Sequence, residues 1–339
     1  MQHRAHPALP GLSRVLLDPL SLLFKAAAYA HWKIKGLRQQ AFPGMFIVSA
    51  DGLSFGGSGK TPLVMAIGKA LEARGARFAI ISRGYRARDE KAGIRVESSH
   101  SCAEVGDEPQ MLKARFPNQD VFIGRDRLRS IAAAAARGDR IIILDDGLQS
   151  SHIRKDMSIL LINPAHPYYY LRHFRFLSRR ADRTLIYRPQ GQGARQEDGT
   201  YDFAITGLLD ARGHEIEIAD APLIAFSALG DNERFAADMR RWRLAAYRPF
   251  PDHHAYTADD LRSLDALRRE KGAAWMVCTE KDFCKLRGLL APGSRGGDRG
   301  ETRRDGLQGL PLLYARNEIQ LPGDLIEQVV THAAAKGFI

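Results

Sequence analysis

The sequence predicts an α/β protein of two domains, each with a mainly parallel sheet covered by helices on both faces. Short apolar runs of about six residues alternate along the chain with stretches of helical periodicity, which is typical of parallel strands buried on both faces. At 339 residues, the chain is also too long for one small core and fits two domains, or one domain with a large appendage.

The first set of alternating elements predicts a doubly wound domain over residues 41–200. Its predicted strands are MFIVSA at 45–50, RFAIIS at 77–82, RIIILD at 140–145 and the runs at 158–163 and 183–188. Helices are predicted at 62–73 and 128–136.

A linker and a smaller α/β domain follow. The segments YDFAITG and HEIEIA flank a turn at 210–213 and predict a β-hairpin linker over 201–220. In the second domain, 221–339, the predicted strands are PLIAFS, AAWMVCT and PLLYA. Helices are predicted at 233–242, 258–269, 281–289 and after Pro322. Residues 292–309 are rich in Gly and Arg and predict a flexible surface loop.

Composition narrows the class of partner and the compartment. The net charge of +11 and the pI of about 9.7 favour anionic partners such as nucleotides, phosphorylated headgroups, membranes or nucleic acid. The three cysteines form no C-x-x-C pair, which favours a reducing compartment. The apolar stretch at 15–24 is broken by Asp18 and Pro19, so we expect neither a membrane-spanning helix nor a secretory signal.

The first forty residues predict a segment that associates with membranes. Residues 1–40 carry six Lys or Arg against one acid, interleaved with leucines and aromatic side chains. This pattern suits a helix lying in the interface of an anionic membrane. A first helix that packs on the protein's own core is the alternative, and both can hold together.

A glycine-rich turn after the first strand predicts a phosphate-binding P-loop. Its glycines let backbone N–H groups face phosphate oxygens, and the next helix adds its positive N-terminus. Lys60 would reach the β and γ phosphates of ATP and Thr61 would bind Mg²⁺. The first Gly of the usual pattern is replaced by Ser54. The predicted nucleotide-binding residues are Ser54, Phe55, Gly56, Gly57, Ser58, Gly59, Lys60 and Thr61.

Carboxylates elsewhere complete the predicted site. The strand at 141–144 delivers Asp145 and Asp146 to its carboxyl end, which is the Walker B arrangement for Mg²⁺, bound directly or through water. Asp107 and Glu108 precede a helix, where capping is the alternative explanation. The run Asp252-His253-His254 lies between a proline and a helix, where a solvated surface cluster is the alternative.

Together these motifs resemble the lipid A 4'-kinase family, the tetraacyldisaccharide 4'-kinases of Gram-negative envelope synthesis. The matching segments span residues 56–282 in the order found in the family. They are GGSGKTP at 56–62, SRGYR at 82–86, GDEP at 106–109, GRDR at 124–127, LDDGLQ at 144–149, RRAD at 179–182, PDHHAYT at 251–257 and TEKD at 279–282.

The resemblance implies two α/β/α domains joined by a short β linker, with the active site in the cleft. It implies transfer of the γ-phosphate of ATP, with Mg²⁺, to the 4'-hydroxyl of a tetraacylated glucosamine disaccharide 1-phosphate. The matching catalytic residues are Asp107, which would accept the proton, its partner His253, Lys60 and Asp146. Metal ligation falls to Thr61 and Asp145, and substrate contacts to Arg83, Tyr85, Glu108, Arg125, Gln149 and His254.

The implied location is the cytoplasmic face of the inner membrane, as a peripheral protein. The implied partners are the lipid A disaccharide precursor and an anionic membrane surface, with no nucleic acid and no obligate protein partner. The segment at 168–176 mixes aromatics with cations and could face headgroups or stack nucleic-acid bases. Since no nucleic-acid module is recognised, lipid is the favoured partner.

Several positions depart from the family pattern. Asp51-Gly52 replaces the usual Gly-Asn, Ser150 replaces a His, and His173 stands where an acid serves near the metal. His173 and an altered segment of the second domain, residues 228–235, keep open a nucleotide-binding homologue that has lost transfer. A P-loop ATPase that switches with a protein partner is a second alternative, although Phe55 occupies the place of the lysine that many such ATPases use across a dimer.

Overall fold

The computed structural model describes residues 26–27, 29–52, 59–84, 87–91, 93–164, 179–189, 199–290 and 309–339. Its strands are β1 Phe46–Gly52, β2 Phe78–Ser82, β3 Ile94–Arg95, β4 Asp120–Ile123, β5 Ile141–Asp145, β6 Met157–Ile162, β7 Arg183–Tyr187, β8 Thr200–Leu209, β9 Leu223–Ser227, β10 Leu244–Pro249, β11 Trp275–Thr279 and β12 Leu312–Gln320. Its helices are α1 at 29–36, then α2 Lys60–Glu72, α3 Cys102–Val105, α4 Asp107–Arg115, α5 Arg127–Ala136, α6 Asn232–Met239, α7 Ala258–Glu270, α8 Glu280–Leu290 and α9 Leu325–Ala335.

These strands form one twelve-stranded sheet in the order β10-β9-β11-β12-β8-β7-β6-β1-β5-β2-β4-β3. Neighbours are parallel except β3 with β4 and β12 with β8. The mainly parallel α/β architecture confirms the predicted fold class. Nearly every long apolar run identified in the sequence is a strand, because parallel strands buried on both faces carry continuous apolar residues.

Strands β1 to β7 make up the first half of the molecule, and β9 to β12 make up the second. The centre of the first half is β1, which is buried along its whole length. It pairs with β5 through Ala50 and Asp145 and with β6 through Ala50 and Ile159. One face of this part of the sheet packs with α2 and the other with α5. The carboxyl ends of β1, β5 and β2 therefore meet at one edge, where a ligand site is expected in such sheets.

The two halves are joined by β8, which forms the first segment of the predicted linker. β8 pairs with β7 only at Thr200 and Tyr201, then runs antiparallel to β12. The second segment of the predicted hairpin makes an isolated bridge between Leu209 and Glu215 and no strand. The reason is that β12 supplies the long antiparallel partner of β8, which the local pattern around the turn could not indicate.

The C-terminal helix packs with the first half. Ile319, Leu325, Val329 and Ala333 belong to the same buried cluster as α2. The chain returns because β12 runs back along β8 towards that cluster. The predicted domain division remains a prediction, but the residues from 319 onward pack outside the predicted second domain.

A close approach inside the first core depends on Gly68 in α2. A Cβ atom at this position would lie 2.7 Å from Cζ of Phe116 and 3.2 Å from Cζ of Phe78. The two rings pack edge to face with centroids 5.5 Å apart. The helix therefore sits against a preformed aromatic pair, and there is no room for a methyl group.

We expect Gly68→Ala to lower the free energy of unfolding by about 1–3 kcal/mol, because the overlap with the Phe116 ring exceeds the gain in helix propensity. Urea denaturation measures the effect. Lys69→Ala is the control, since the Lys69 side chain is 61% exposed and only pairs with Glu318. A Gly68→Ala protein as stable as the wild type would contradict this packing.

Candidate active site

The described part of the P-loop is its end, where the loop becomes α2. Gly59 has φ 84° in the left-handed region, and a Cβ atom there would collide with the ring of Phe203. Glycine is required for both reasons. Lys60 opens the helix and Thr61 is buried. The predictions for Ser54, Phe55, Gly56, Gly57, Ser58 and Tyr85 lie outside the described residues.

The predicted Walker B carboxylate, Asp145, lies buried at the end of β5. Its Oδ2 accepts a hydrogen bond of 2.8 Å from the hydroxyl of Ser82. Its Oδ1 is also buried but accepts no hydrogen bond from any described residue. Burial raises the pKa of Asp145 to about 6, the charge of Glu108 adds to the rise, and the charge of Lys60 opposes it. Lys60, Asp145 and Glu108 are thus electrostatic neighbours at this edge.

The backbone of Asp145 is held by Arg127, which the sequence analysis missed. One guanidinium nitrogen donates to the Asp145 carbonyl at 2.7 Å and another to the Ser150 hydroxyl at 3.0 Å. Ser150 thus has a defined role at the position where the family pattern has histidine. The GRDR motif contains two arginines, Arg125 and Arg127. Only Arg127 is buried, and the spacing of residues in the sequence does not reveal burial.

Asp146 and Asp51 tie the end of β1 to the loop after β5. Asp146 has a positive φ of 62°, and its N–H donates to the Ala50 carbonyl at 2.8 Å. The Asp51 carboxylate accepts hydrogen bonds from the Leu148 N–H and the Ser49 hydroxyl, both 2.6 Å. Burial, followed by the charge of Asp146, raises the pKa of Asp51 to about 7. Asp51 therefore shapes the site although it departs from the family pattern.

The two residues predicted to work together across the halves do meet. Asp107 is the first residue of α4, after Gly106 with φ 94°. His253 comes from the loop after β10 and has φ 61°. The His253 Nδ1 lies 3.5 Å from the Asp107 Oδ2. Since φ is positive at His253, which is uncommon for a residue other than glycine, the loop holds this ring in a constrained position.

The other predicted substrate residues divide into two groups. Arg83 and Arg125 both contact the Glu90 carboxylate, at 2.9 and 3.4 Å, and Gln149 follows Asp146 in the loop after β5. His254 instead places its Nε2 3.1 Å from the Asp260 Oδ2 and stacks on Phe250. The structure therefore brings His253 to Asp107 and uses His254 at the start of α7.

A separate cleft of about 670 Å³ lies around Asp120, at the amino end of β4. Its arginines are engaged with acids: Arg137 and Arg95 contact Asp120 at 2.6 and 2.8 Å, and Arg77 contacts Asp139 at 2.8 Å. Because these charges neutralise one another at the opposite edge of the sheet, we assign the cleft no part in the site.

Comparison with known proteins decides the family. Residues 13–295 match the family model described as LpxK, tetraacyldisaccharide-1-P 4'-kinase. A tetraacyldisaccharide 4'-kinase of Bradyrhizobium sp. (strain ORS 278) is 32% identical over 295 residues, covering 82% of this chain and 85% of the relative. The chain belongs to the tetraacyldisaccharide 4'-kinase family. The resemblance inferred from the motifs is thereby confirmed.

Further relatives and a solved structure agree. The tetraacyldisaccharide 4'-kinase of Rhodopseudomonas palustris (strain BisA53) is 31% identical over 329 residues, covering 90% of this chain and 88% of the relative. A crystal structure of LpxK from Aquifex aeolicus, described as an "apo" form in complex with ATP, superposes with a TM-score of 0.71 at 24% identity. It covers 95% of this chain and 99% of that one. This likeness supports the fold.

We expect Asp145→Asn to stabilise the protein by about 1–3 kcal/mol at pH 8 in buffer without divalent ions or nucleotide. The raised pKa of Asp145 means that the folded protein binds this proton more tightly than the unfolded chain does. This contribution to stability is therefore lost as the pH rises from about 4 through about 6. Asparagine carries no such penalty, so the difference should shrink at pH 5. Guanidinium denaturation of both proteins with EDTA, from pH 5 to 8, is the measurement. A less stable variant at pH 8 would contradict the assignment of a buried, uncompensated carboxylate.

Proposed function

We propose that Asp107, His253, Lys60 and the carboxylates after β5 carry out the transfer of the γ-phosphoryl group of ATP to the 4'-hydroxyl of a tetraacylated glucosamine disaccharide 1-phosphate. Membership of the family makes the protein an ATP-dependent 4'-kinase of lipid A biosynthesis, as the motifs predicted, and favours this function over a switching ATPase. The observation that carries the residue roles is the contact between Asp107 and His253, because it joins the two halves at the edge that also holds Lys60 and Asp145.

Asp107 is the proposed general base. Its carboxylate would accept the proton of the 4'-hydroxyl while that oxygen bonds to the γ-phosphorus and the bond to the β–γ bridging oxygen breaks, releasing ADP. The Nδ1 atom of His253 lies 3.5 Å from the Oδ2 atom of Asp107 and so would orient the Asp107 carboxylate. The two residues come from different halves, so the geometry of the base depends on how the halves meet.

Lys60 and Asp146 are proposed to act on the phosphates. Lys60 at the N-terminus of α2 would balance the charge of the β and γ phosphates, and the N–H groups at the start of the helix add to this effect. Asp146 is held by its hydrogen bond to Ala50 beside Asp145. Its carboxylate would orient water in the ligand shell of the metal.

The residues at this edge also fit Mg²⁺. The described residues contain no cluster of three or more His, Cys, Asp or Glu side chains able to hold a metal, and Mg²⁺ usually takes only one or two carboxylates, together with phosphate oxygens and water. The unsatisfied Oδ1 of Asp145 and the hydroxyl of buried Thr61 would supply the protein ligands. When bound, the ion would neutralise charge on the phosphate oxygens.

We further propose peripheral association with the cytoplasmic face of the inner membrane. No helix in the described parts of the chain is long and apolar enough to cross a bilayer. In α1 and the turn after it, Ile34 and Leu37 are 66% and 77% exposed, next to Lys33, Lys35 and Arg38. Exposed apolar side chains among cations suit an anionic interface.

We expect Asp107→Asn to lower kcat by about 10²–10⁴-fold, because the amide cannot accept the proton, while MgATP still binds. Lys60→Ala should abolish transfer. The assay follows radiolabelled phosphate from ATP into a lipid A disaccharide precursor, separated by chromatography. Asp259→Asn is the control, since Asp259 is 77% exposed and pairs with Arg262 of its own helix. Full turnover by Asp107→Asn would refute the base assignment.

The same assay distinguishes the remaining alternatives. Hydrolysis of ATP that a protein partner stimulates, with no labelled lipid, would indicate the switching ATPase. Binding of MgATP with neither hydrolysis nor transfer would indicate the homologue that has lost transfer. Labelled lipid from the wild-type protein excludes both.

For the membrane, we expect the double variant Ile34→Ser, Leu37→Ser to bind vesicles of phosphatidylglycerol and phosphatidylethanolamine at least about 10-fold more weakly, because two apolar side chains are lost from the interface. Vesicle sedimentation measures this. Ile186→Ser is the matched control, since Ile186 is also exposed, at 47%, but lies in β7. Equal binding by the double variant and the wild type would contradict the proposal.

A further inference from the structure

One buried lysine contacts the proposed base from the second half of the molecule. Lys285 lies in α8, and its side chain is only 8% exposed. Its Nζ is 3.4 Å from the Oδ1 of Asp282 and 3.7 Å from the Oδ2 of Asp107. A lysine buried to this extent between two carboxylates has little freedom, so its position is set by the packing around it.

The first of these carboxylates fixes the lysine. The Asp282 side chain is fully buried, and its Oδ2 accepts hydrogen bonds from the Thr279 hydroxyl at 2.7 Å and the Ala228 N–H at 3.0 Å. The carboxylate is therefore anchored in the backbone of the second half. Its remaining oxygen holds Lys285, so the ammonium group occupies a defined point next to α4, against which α8 packs.

The second carboxylate near Lys285 is that of Asp107, the proposed base. The Nζ of Lys285 and the Nδ1 of His253 both contact the same atom, Oδ2 of Asp107. Lys285 also lies 6.0 Å from the ring centre of Tyr256, in the loop that carries His253. The ammonium group of Lys285 thus contacts the proposed base, Asp107, and the acid that anchors the lysine, Asp282, and it lies near the loop that carries His253. A lysine needed only to pair with Asp282 would not have to reach across to α4.

We propose that Lys285 is a positioning residue for the phosphoryl transfer. It holds Oδ2 of Asp107 together with His253, which leaves Oδ1 of Asp107 to take the proton of the acceptor alcohol. The inference rests on the proposed role of Asp107. The ionisable groups that surround Asp107 or its contacts are His253, Lys285, Glu108, Cys102, Cys284, Asp252 and Asp282. Among these, Lys285 is the cation whose own position is fixed by a buried acid.

The test is the Lys285→Gln variant in the labelled-phosphate assay. Glutamine can still bond to Asp282 but brings no charge to Asp107. We expect kcat to fall by about 10²-fold, as for loss of an oriented charge beside a general base. The KM for the lipid and the Kd for MgATP should stay within about 3-fold of wild type, since Lys285 is not among the residues proposed to bind the lipid or the nucleotide. Lys271→Gln is the control, because Lys271 is exposed and pairs only with Glu270.

Two further variants separate positioning from a merely structural role. Lys285→Arg keeps the charge but spreads it over a larger planar group, so we expect a kcat about 10-fold above that of Lys285→Gln and about 10-fold below wild type. In a protein that already carries Asp107→Asn, adding Lys285→Gln should lower kcat by less than about 3-fold further, because there is no longer a base to position.

The inference is overturned if Lys285→Gln keeps the kcat of the wild type. It is also overturned if the fold-reduction in kcat of the double variant equals the product of the reductions in the two single variants. Should the Gln variant fail to bind MgATP and so prove misfolded, Lys285→Arg decides: kcat equal to wild type overturns the proposal, and a loss of kcat with unchanged MgATP binding supports it. If the wild-type protein itself forms no labelled lipid, the proposed function has failed, and that outcome is seen before any variant is made.

Discussion

The site depends on the antiparallel pairing of β8 with β12, because that pairing makes one sheet out of two halves. Seven pairs of residues join the two strands, from Tyr314 with Leu209 to Gln320 with Asp202. Through this ladder the orientation of β11 and α8 is fixed relative to β1 and α2. Asp107 would otherwise lie on one body and its contacts, His253 and Lys285, on another. Contacts of 3.5 and 3.7 Å across two halves need such a frame.

The frame is used to hold charges where water cannot solvate them. Asp145 is buried with one oxygen unsatisfied, and its pKa rises to about 6. Asp51 is buried as well, with a pKa near 7, but both of its oxygens accept hydrogen bonds. The difference fits the roles proposed for the two acids: Asp51 joins the end of β1 to the loop after β5, whereas Asp145 has one oxygen that accepts no hydrogen bond from a described residue. An unsatisfied buried acceptor costs about 1–3 kcal/mol, and a bound ligand at Asp145 would offset that cost.

Much of this could be predicted from the sequence, and the reasons differ from element to element. The buried strands β1, β5 and β9 were evident because parallel strands covered on both faces are continuously apolar. The four-residue β4 and the half-exposed β10 were missed, since neither carries such a run. Lys60, proposed to bind the nucleotide, and the carboxylates after β5 followed from local motifs. The pairing of β8 with β12 could not, because it joins segments a hundred residues apart.

The site residues show the same limit. Asp107 and His253 were paired through a family resemblance, and spacing alone left both open. Arg127 and Lys285 were missed because their roles come from burial and from contacts across the fold. His253 and its neighbour His254 face different carboxylates, Asp107 and Asp260, which two adjacent histidines in a sequence cannot reveal. Sequence patterns therefore identify candidate side chains, and tertiary contacts determine which of them lie together in the site.

The packing of α1 ties the surface that we propose to face the membrane to the candidate active site. The indole N–H of Trp32 donates to the Leu148 carbonyl at 3.1 Å, and the Leu148 N–H donates to Asp51 at the end of β1. The first bond therefore links α1 to the loop that follows Asp145 and Asp146, and the second links that loop to β1. A lipid headgroup at the surface covered by Ile34 and Leu37 would approach the site at a height set by this helix. Because a tetraacylated acceptor keeps its chains in the bilayer, that fixed height would limit which hydroxyl of its sugar can reach Asp107.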